Sequence, residues 1–164
     1  RAGILRLTRA PAPEISSSLQ KQATDAAGKI ISKLGYVGVL TIEFFECDGT
    51  LVANEMAPRV HNSGHWTIEG AECSQFENHI RAICNLPLGS TALSGFSGMV
   101  NIIGEVPAPE SETYKNLLAV NGVHLHLYHK SSAPGRKVGH VTITAPTLEE
   151  REERLEAICK ILKN

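Results

Sequence analysis

Two glutamates ask most directly for a chemical explanation. Glu43 interrupts the apolar run VGVLTIEFF, and Glu55 repeats the oddity in LVANEM, just ahead of Pro58-Arg59. A carboxylate inside an apolar strand is costly unless it is paired or holds a metal. Asp48-Gly49 between them signals a hairpin, so the two acids fall on neighbouring strands. Together they offer hard oxygen ligands of the kind magnesium takes, with phosphates and water completing its shell. Register decides whether they can cooperate. A tight two-residue turn pairs Glu43 with Asn54 and sends Glu55 to the opposite face. A three-residue loop or a bulge, with Gly49 left-handed or bulged, pairs Glu43 with Glu55. In the alternative reading Glu55 is exposed on an edge strand and Glu43 pairs with an arginine. Spacing leaves both open.

The stretch APRVHNSGHWT that follows concentrates further chemistry in Arg59, His61, Asn62, Ser63 and His65. Arg59 presents a planar fork to a carboxylate or phosphate, and Asn62 and Ser63 add short-range hydrogen bonds. Gly64 permits a close backbone approach to a ligand. Ser63 and Gly64 disfavour a helix between His61 and His65, so a helical zinc pair is not expected. The plain alternative is a loop whose polar groups satisfy its own backbone. Farther on, Pro134-Gly135 makes a turn that presents Arg136 and Lys137, and Lys130 joins them in the one concentrated basic patch of the sequence. A lysine as point charge and an arginine as fork suit a phosphate; a solvated hairpin tip is the bland reading. His124 and His126 alternate on one strand face without a third ligand at metal spacing, which predicts a hydrogen-bonded structural role. Trp66 is expected to anchor its loop.

Regular elements must position these groups. Residues 4–8 read as a short strand ended by Pro11 and Pro13. A long helix follows, capped by Ser16 or Ser17, with Leu19, Ala23, Ala26, Ala27, Ile30, Ile31 and Leu34 at helical spacing and Gly35 as its stop. Residues 36–45 read as a strand buried on both faces, with 51–56 as its partner and 57–67 as a polar loop without usable period. A second helix over 74–84 presents Phe76, Ile80, Ile83 and Cys84 on one side. Residues 86–98 loosen into Pro, Gly and Ser and mark a boundary. Strands at 99–103, 123–129 and 138–144 follow, with a short helix near 112–119. A last helix starts at the capping box Thr147/Glu150 and is expected to bury Leu148, Leu155, Ile158 and Leu162.

A chain of 164 residues with 42% hydrophobic content can bury one core, or one and a half smaller ones. Sixteen Lys and Arg against 17 Asp and Glu give no field that would gather nucleic acid or an anionic membrane. No apolar run is long enough for a membrane-spanning helix. Cys47, Cys73, Cys84 and Cys159 are scattered without CxxC spacing, which predicts reduced thiols in a cytoplasm rather than a zinc site or disulfide framework. The opening GILRLTRAP reads like the inside of a domain, and the expectation is a fragment.

The stretch LGYVGVLTIEFFECDGTLVANEMAPRVHNSGHWTIEGAECSQFENHIRAICNLPLG resembles the C-terminal part of the ATP-grasp domain of carboxyaminoimidazole ribonucleotide synthases, the PurK family. VHLHLYHKSSAPGRKVGHVTI resembles that family's small C-terminal domain. The likeness runs essentially end to end, and its most specific pieces are NEMAPRVHNSGHWT and PGRKVGH. It implies an α+β fold: residues 1–92 as the C-terminal half of an ATP-grasp domain, mostly antiparallel sheet with helices, and 93–164 as a small β-rich domain ending in a helix. By the resemblance, Glu43 and Glu55 take Mg2+, and with Asn54 they serve the ATP phosphates. Arg59, His61, Asn62 and Ser63 line the pocket where bicarbonate is activated and the carboxyl group passed on. Arg59 and His61, with Lys130, Arg136 and Lys137, meet the nucleotide substrate and its phosphate. Many ATP-grasp enzymes have an asparagine two residues beyond the second metal carboxylate; Ala57 stands there, so water or phosphate would complete the shell.

The implied reaction joins bicarbonate to the exocyclic amine of aminoimidazole ribonucleotide, cleaving ATP, in a cytoplasmic homodimer that binds neither nucleic acid nor membrane. Such an enzyme needs an N-terminal domain and a lid. No glycine-rich loop with a nearby lysine precedes Glu43, so negligible activity is expected of these residues alone. Rival readings are a formate-using glycinamide ribonucleotide transformylase and a non-catalytic binding or dimerisation module.

Overall fold

The computed structural model describes residues 3–163. Helix α1, Ser17–Leu34, forms where the apolar spacing predicts it. Ser16 caps it by accepting the Leu19 N–H, and Gly35 closes it in the left-handed region at φ 57°. Its apolar side is only partly covered: Leu19 is buried, whereas Leu34 is 58% exposed.

Strands β2, Thr41–Cys47, and β3, Thr50–Ala57, form a two-stranded antiparallel ribbon. The turn is tight, with Asp48 and Gly49 both at positive φ (50° and 77°) as a type I′ turn requires. Two expectations fail here. The strand begins at Thr41 because residues 36–40 serve as a connection, pinned where the Tyr36 hydroxyl donates to the Pro58 carbonyl at 2.8 Å. Nor is it buried on both faces: Phe45 is 57% and Val52 49% exposed. Among the described residues little besides α1 lies against this two-stranded ribbon, so its apolar sequence does not translate into burial.

The polar loop is more ordered than its lack of period suggests. It contains a 3-10 turn, Asn62–Gly64, and a one-turn helix α2, Thr67–Gly70. Helix α3, Gln75–Ile83, is capped by Ser74, but its apolar side faces outward, with Ile80 55% and Ile83 53% exposed. What it buries is Asn78, whose amide closes a loop by bonding both the N–H and the carbonyl of Gly89.

Strand β1, Leu7–Ala10, and strands β4, Phe96–Ile103, β5, Val123–Leu127, and β6, Lys137–Ala145, make an antiparallel sheet in the order β1-β4-β6-β5. The first strand of the chain thus completes a sheet whose other members follow residue 95. Helices α4, Glu112–Leu118, and α5, Leu148–Leu162, cover one face. There Val100, Leu117, Val141, Ile143, Leu155 and Ile158 form the hydrocarbon core. Half of the capping box forms: Thr147 accepts from the Glu150 N–H, while the Glu150 carboxylate turns to Arg154. Leu148, expected inside, is 43% exposed because it lies in the first turn, off the stripe that meets the sheet. The sheet's other face is polar, carrying buried Asn101, His140 and Thr142. The loop after β3 and α2 lie on that face. A side chain on Gly70 would collide with Ser97 of β4, so glycine lets α2 approach closely.

Candidate functional site

The register of the ribbon answers the question left by spacing. Glu43 pairs with Glu55 while Phe44 pairs with Ala53, so Asn54 is the extra residue of a β-bulge. The turn keeps its two residues, and the required residue is supplied within β3 rather than at Gly49. Directly opposed residues of an antiparallel ribbon share a face, with Cβ atoms about 5 Å apart. Glu43 and Glu55 therefore point the same way. Asn54 does not stand apart as a separate ligand: its Nδ2 donates to Glu43 Oε2 at 3.3 Å.

Other elements bring their groups to this pair. His61 Nδ1 lies 3.6 Å from Glu43 Oε1 and 2.8 Å from Ser63 Oγ, and the Ser63 N–H also points at it, at 3.3 Å. The N–H contact calls for a lone pair on Nδ1, so neutral His61 carries its proton on Nε2. Gln75 of α3 clamps the loop, accepting from the His61 N–H at 3.0 Å and donating to the His61 carbonyl at 2.8 Å. Asn62 and Asn101 of β4 form a reciprocal amide pair at 3.0 and 2.7 Å. Lys137, the first residue of β6, donates from Nζ to Asn62 Oδ1 at 3.1 Å. Burial lowers the Lys137 pKa, and the nearby charges of Glu43 and Glu55 oppose that shift. Its positive charge thus lies near enough to both carboxylates to weaken the like-charge repulsion between them.

The basic patch is not one unit. Lys137 joins the carboxylates, whereas Lys130 lies with Nζ 5.3 Å from the Tyr128 ring centroid and Arg136 is exposed, bonding Ser131 at its carbonyl and hydroxyl. Arg59 is exposed and donates to the Val60 carbonyl at 3.0 Å, and it makes no ion pair among the described residues. His126, one of the alternating pair, is bonded to Glu69 of α2 at 2.7 Å. Sequence reasoning missed Gln75, Asn101, Tyr128 and His140. The signal for His140 was the one that exposed Glu43, a polar residue in an apolar strand, here KVGHVTITA.

Among the described residues no group of three or more His, Cys, Asp or Glu side chains could hold a metal ion. The donor set is two opposed carboxylates. That suits a hard cation drawing its other ligands from phosphate and water, and does not suit zinc.

Residues 1–76 match the ATP-grasp domain model, and residues 97–154 match that of the phosphoribosylaminoimidazole carboxylase C-terminal domain. The N5-carboxyaminoimidazole ribonucleotide synthase of Pseudomonas aeruginosa is 54% identical over 160 residues, covering 96% of this chain and 42% of that protein. The Escherichia coli synthase is 44% identical, over 98% of this chain and 43% of that protein. The crystal structure of the Thermus thermophilus synthetase superposes with a TM-score of 0.94 at 54% identity, over all of this chain and 44% of the other. That of the Aspergillus clavatus synthase, in complex with ADP and 5-aminoimidazole ribonucleotide, gives 0.91 at 36% identity, over 100% of this chain and 45% of the other. The chain spans about two fifths of the length of the curated relatives it matches. It belongs to the N5-carboxyaminoimidazole ribonucleotide synthase family of ATP-grasp proteins, of which it represents the C-terminal portion.

Proposed function

We propose that this chain supplies the C-terminal part of the active site of an enzyme that carboxylates aminoimidazole ribonucleotide with bicarbonate, using ATP, in purine biosynthesis. The observation that carries the proposal is the convergence of Glu43 and Glu55 on one face, with His61 and Lys137 delivered to them by a loop and by a different sheet.

The chemistry suits these groups. Bicarbonate is a poor electrophile, and phosphorylation by ATP converts it to carboxyphosphate, which carries a leaving group. The exocyclic amine then attacks the carboxyl carbon, phosphate departs, and the amine loses a proton. Mg2+, held by Glu43 and Glu55, would neutralise charge on the transferring phosphoryl group. Arg59 offers the same service from the protein as a fixed fork. His61, whose neutral ring holds its proton on Nε2, would donate that N–H to an oxygen of bicarbonate or carboxyphosphate, and the departing phosphate takes the amine proton. Asn62 and Ser63 hold the loop and the bicarbonate oxygens. Asn54, through Glu43, steadies the side of the site that meets the ATP phosphates. Lys137 stands nearest the carboxyl group being passed on, while Lys130 and Arg136, on the exposed loop after β5, grip the nucleotide substrate and its phosphate. Carboxyphosphate is short-lived in water, so solvent must be kept out before the amine attacks. The part of the related synthases that this chain does not span would do that.

The proposal retains the division into residues 1–92 and 93–164, with β1 lent across to the second sheet. It places the protein in the cytoplasm as a homodimer. The test is ATP cleavage by a full-length enzyme carrying these residues, which should require both bicarbonate and aminoimidazole ribonucleotide. Cleavage driven instead by formate and glycinamide ribonucleotide would identify a transformylase. The isolated chain should release negligible ADP; substrate-dependent release from it would overturn its role as a partial site.

A further inference from the structure

One amide holds the backbone of His61. The residue is extended, at φ −126° and ψ 148°, so its N–H and its carbonyl point to the same side, as they do in a hydrogen-bonded pair of an antiparallel sheet. The partner is not a strand but the Gln75 side chain. Its Oε1 accepts from the His61 N–H at 3.0 Å and its Nε2 donates to the His61 carbonyl at 2.8 Å. Gln75 is also the first residue of α3, where a backbone N–H lacks an intrahelical partner. That N–H goes to Thr67 Oγ1 at 3.0 Å, and the Thr67 hydroxyl donates onward to the Gly64 carbonyl at 2.6 Å. Gln75 is thus tied to residues 61–67 by both its main chain and its side chain. The fit is close: a Cβ on Gly64 would lie 2.7 Å from Gln75 Oε1, so the space beside this glycine is taken by the amide.

The orientation of the amide is dictated by what it meets. A backbone N–H can only donate and a carbonyl only accept, so His61 decides which end of the carboxamide is oxygen. The second N–H on Nε2 then meets His65 Nδ1 at 2.9 Å, which calls for a lone pair there. His65 is therefore neutral, with its proton on Nε2. The His61 carbonyl has no need of His65 as a donor, since it accepts from the Gly64 N–H at 3.0 Å as well as from Gln75. From the other side His65 packs against Phe76 and His140, ring centroids 5.1 and 5.4 Å away, and the Tyr128 hydroxyl lies 2.7 Å from His140 Nδ1. Both N–H groups of the Gln75 amide are spent, and a carboxylate in its place would set lone pairs against the His61 carbonyl and His65 Nδ1. The ring of His61 is fixed in turn, because Ser63 engages its Nδ1 through Oγ and N–H. With backbone and Nδ1 both held, the direction of the Nε2–H bond follows.

We propose that Gln75 is a positioning residue: by pairing with the His61 backbone as a strand would, it aims the His61 Nε2–H at the bicarbonate or carboxyphosphate oxygen. The inference rests on the functional reading of His61 given above. In a full-length enzyme carrying these residues, Gln75→Met keeps the length of the side chain and loses its hydrogen bonds. It should lower kcat/KM for bicarbonate about tenfold, with the KM for ATP unchanged. His61→Ala should lower it further, and adding Gln75→Met to His61→Ala should cost nothing more. Losses that multiply, or a Gln75→Met enzyme of full activity, would overturn the positioning role. Full activity in His61→Ala would overturn the functional reading instead. Should Gln75→Met fail to fold, Gly64 provides the same test. Its φ lies outside the left-handed region, so alanine suits its backbone, but the added methyl would push the Gln75 amide off His61 while leaving every donor and acceptor in the chain. Gly64→Ala should lose what Gln75→Met was expected to lose, and full activity in it would refute the proposal.

Discussion

Acidification should remove stability through one buried imidazole. His140 is 1% exposed, and its pKa is lowered from 6.5 to about 3, first by burial and then by the neighbouring charges of His126 and His65. The folded value lies below the unfolded one, so the unfolded chain takes up a proton that the folded chain refuses. Stability is therefore complete above pH 6.5 and lost progressively as the pH falls from 6.5 toward 3. With these two values, moving from pH 7 to pH 5 costs about 2 kcal/mol, which for a chain of this size lowers the melting temperature by roughly 4–8 °C. Other groups titrate over the same range, so the measurement is a difference. Thermal unfolding of the chain and of His140→Asn should be recorded at both pH values. The wild type should lose about 2 kcal/mol more than the variant between them. Parallel losses, or an NMR titration of the His140 ring near pH 6.5, would refute this reasoning.

Glu55→Ala removes one of the two opposed carboxylates while leaving the bulge at Asn54 in place. Full-length enzyme with this substitution should lose at least about a hundredfold in ATP turnover while retaining its circular dichroism. Leu117 is fully buried between α4 and the sheet, and Leu117→Ala should cost about 2–5 kcal/mol in denaturant unfolding. Asn78→Ala leaves both polar groups of Gly89 without their partner and should cost about 1–3 kcal/mol, measurable in the same way. Arg136→Ala, on the exposed loop, should chiefly raise the KM for the nucleotide substrate with kcat nearly unchanged.

Local chemistry was the legible part of the sequence. The caps at Ser16, Ser74 and Thr147 and the stop at Gly35 are contacts within one turn of chain, and each lies where its residue type predicts. Facing was harder to read. The apolar runs at Phe44-Phe45 and at Phe76, Ile80 and Ile83 read as buried or core-forming, yet much of that surface faces solvent, because burial depends on what lies opposite and not on the run itself. The carboxylate register hung on a single bulged residue, and Asn54 carries no sequence mark that separates a bulge from a regular strand position. Arg136 and Lys137 are adjacent in sequence, but the start of β6 divides them between a turn and a strand, so one remains on the exposed loop while the other enters the site. Tyr128 and His140 were invisible as partners because the contact joining them is made by strand pairing. Only the position of His140 in an apolar strand hinted at it.

The most direct measurement is a crystal structure of a full-length enzyme carrying these residues, with ATP and Mn2+ in place of Mg2+ and the ion located by anomalous scattering. One Glu43 oxygen and one Glu55 oxygen should each lie about 2.1–2.3 Å from manganese that also touches ATP phosphate. A metal bound to the nucleotide with either glutamate turned away from it would contradict the shared carboxylate face on which the proposed chemistry depends.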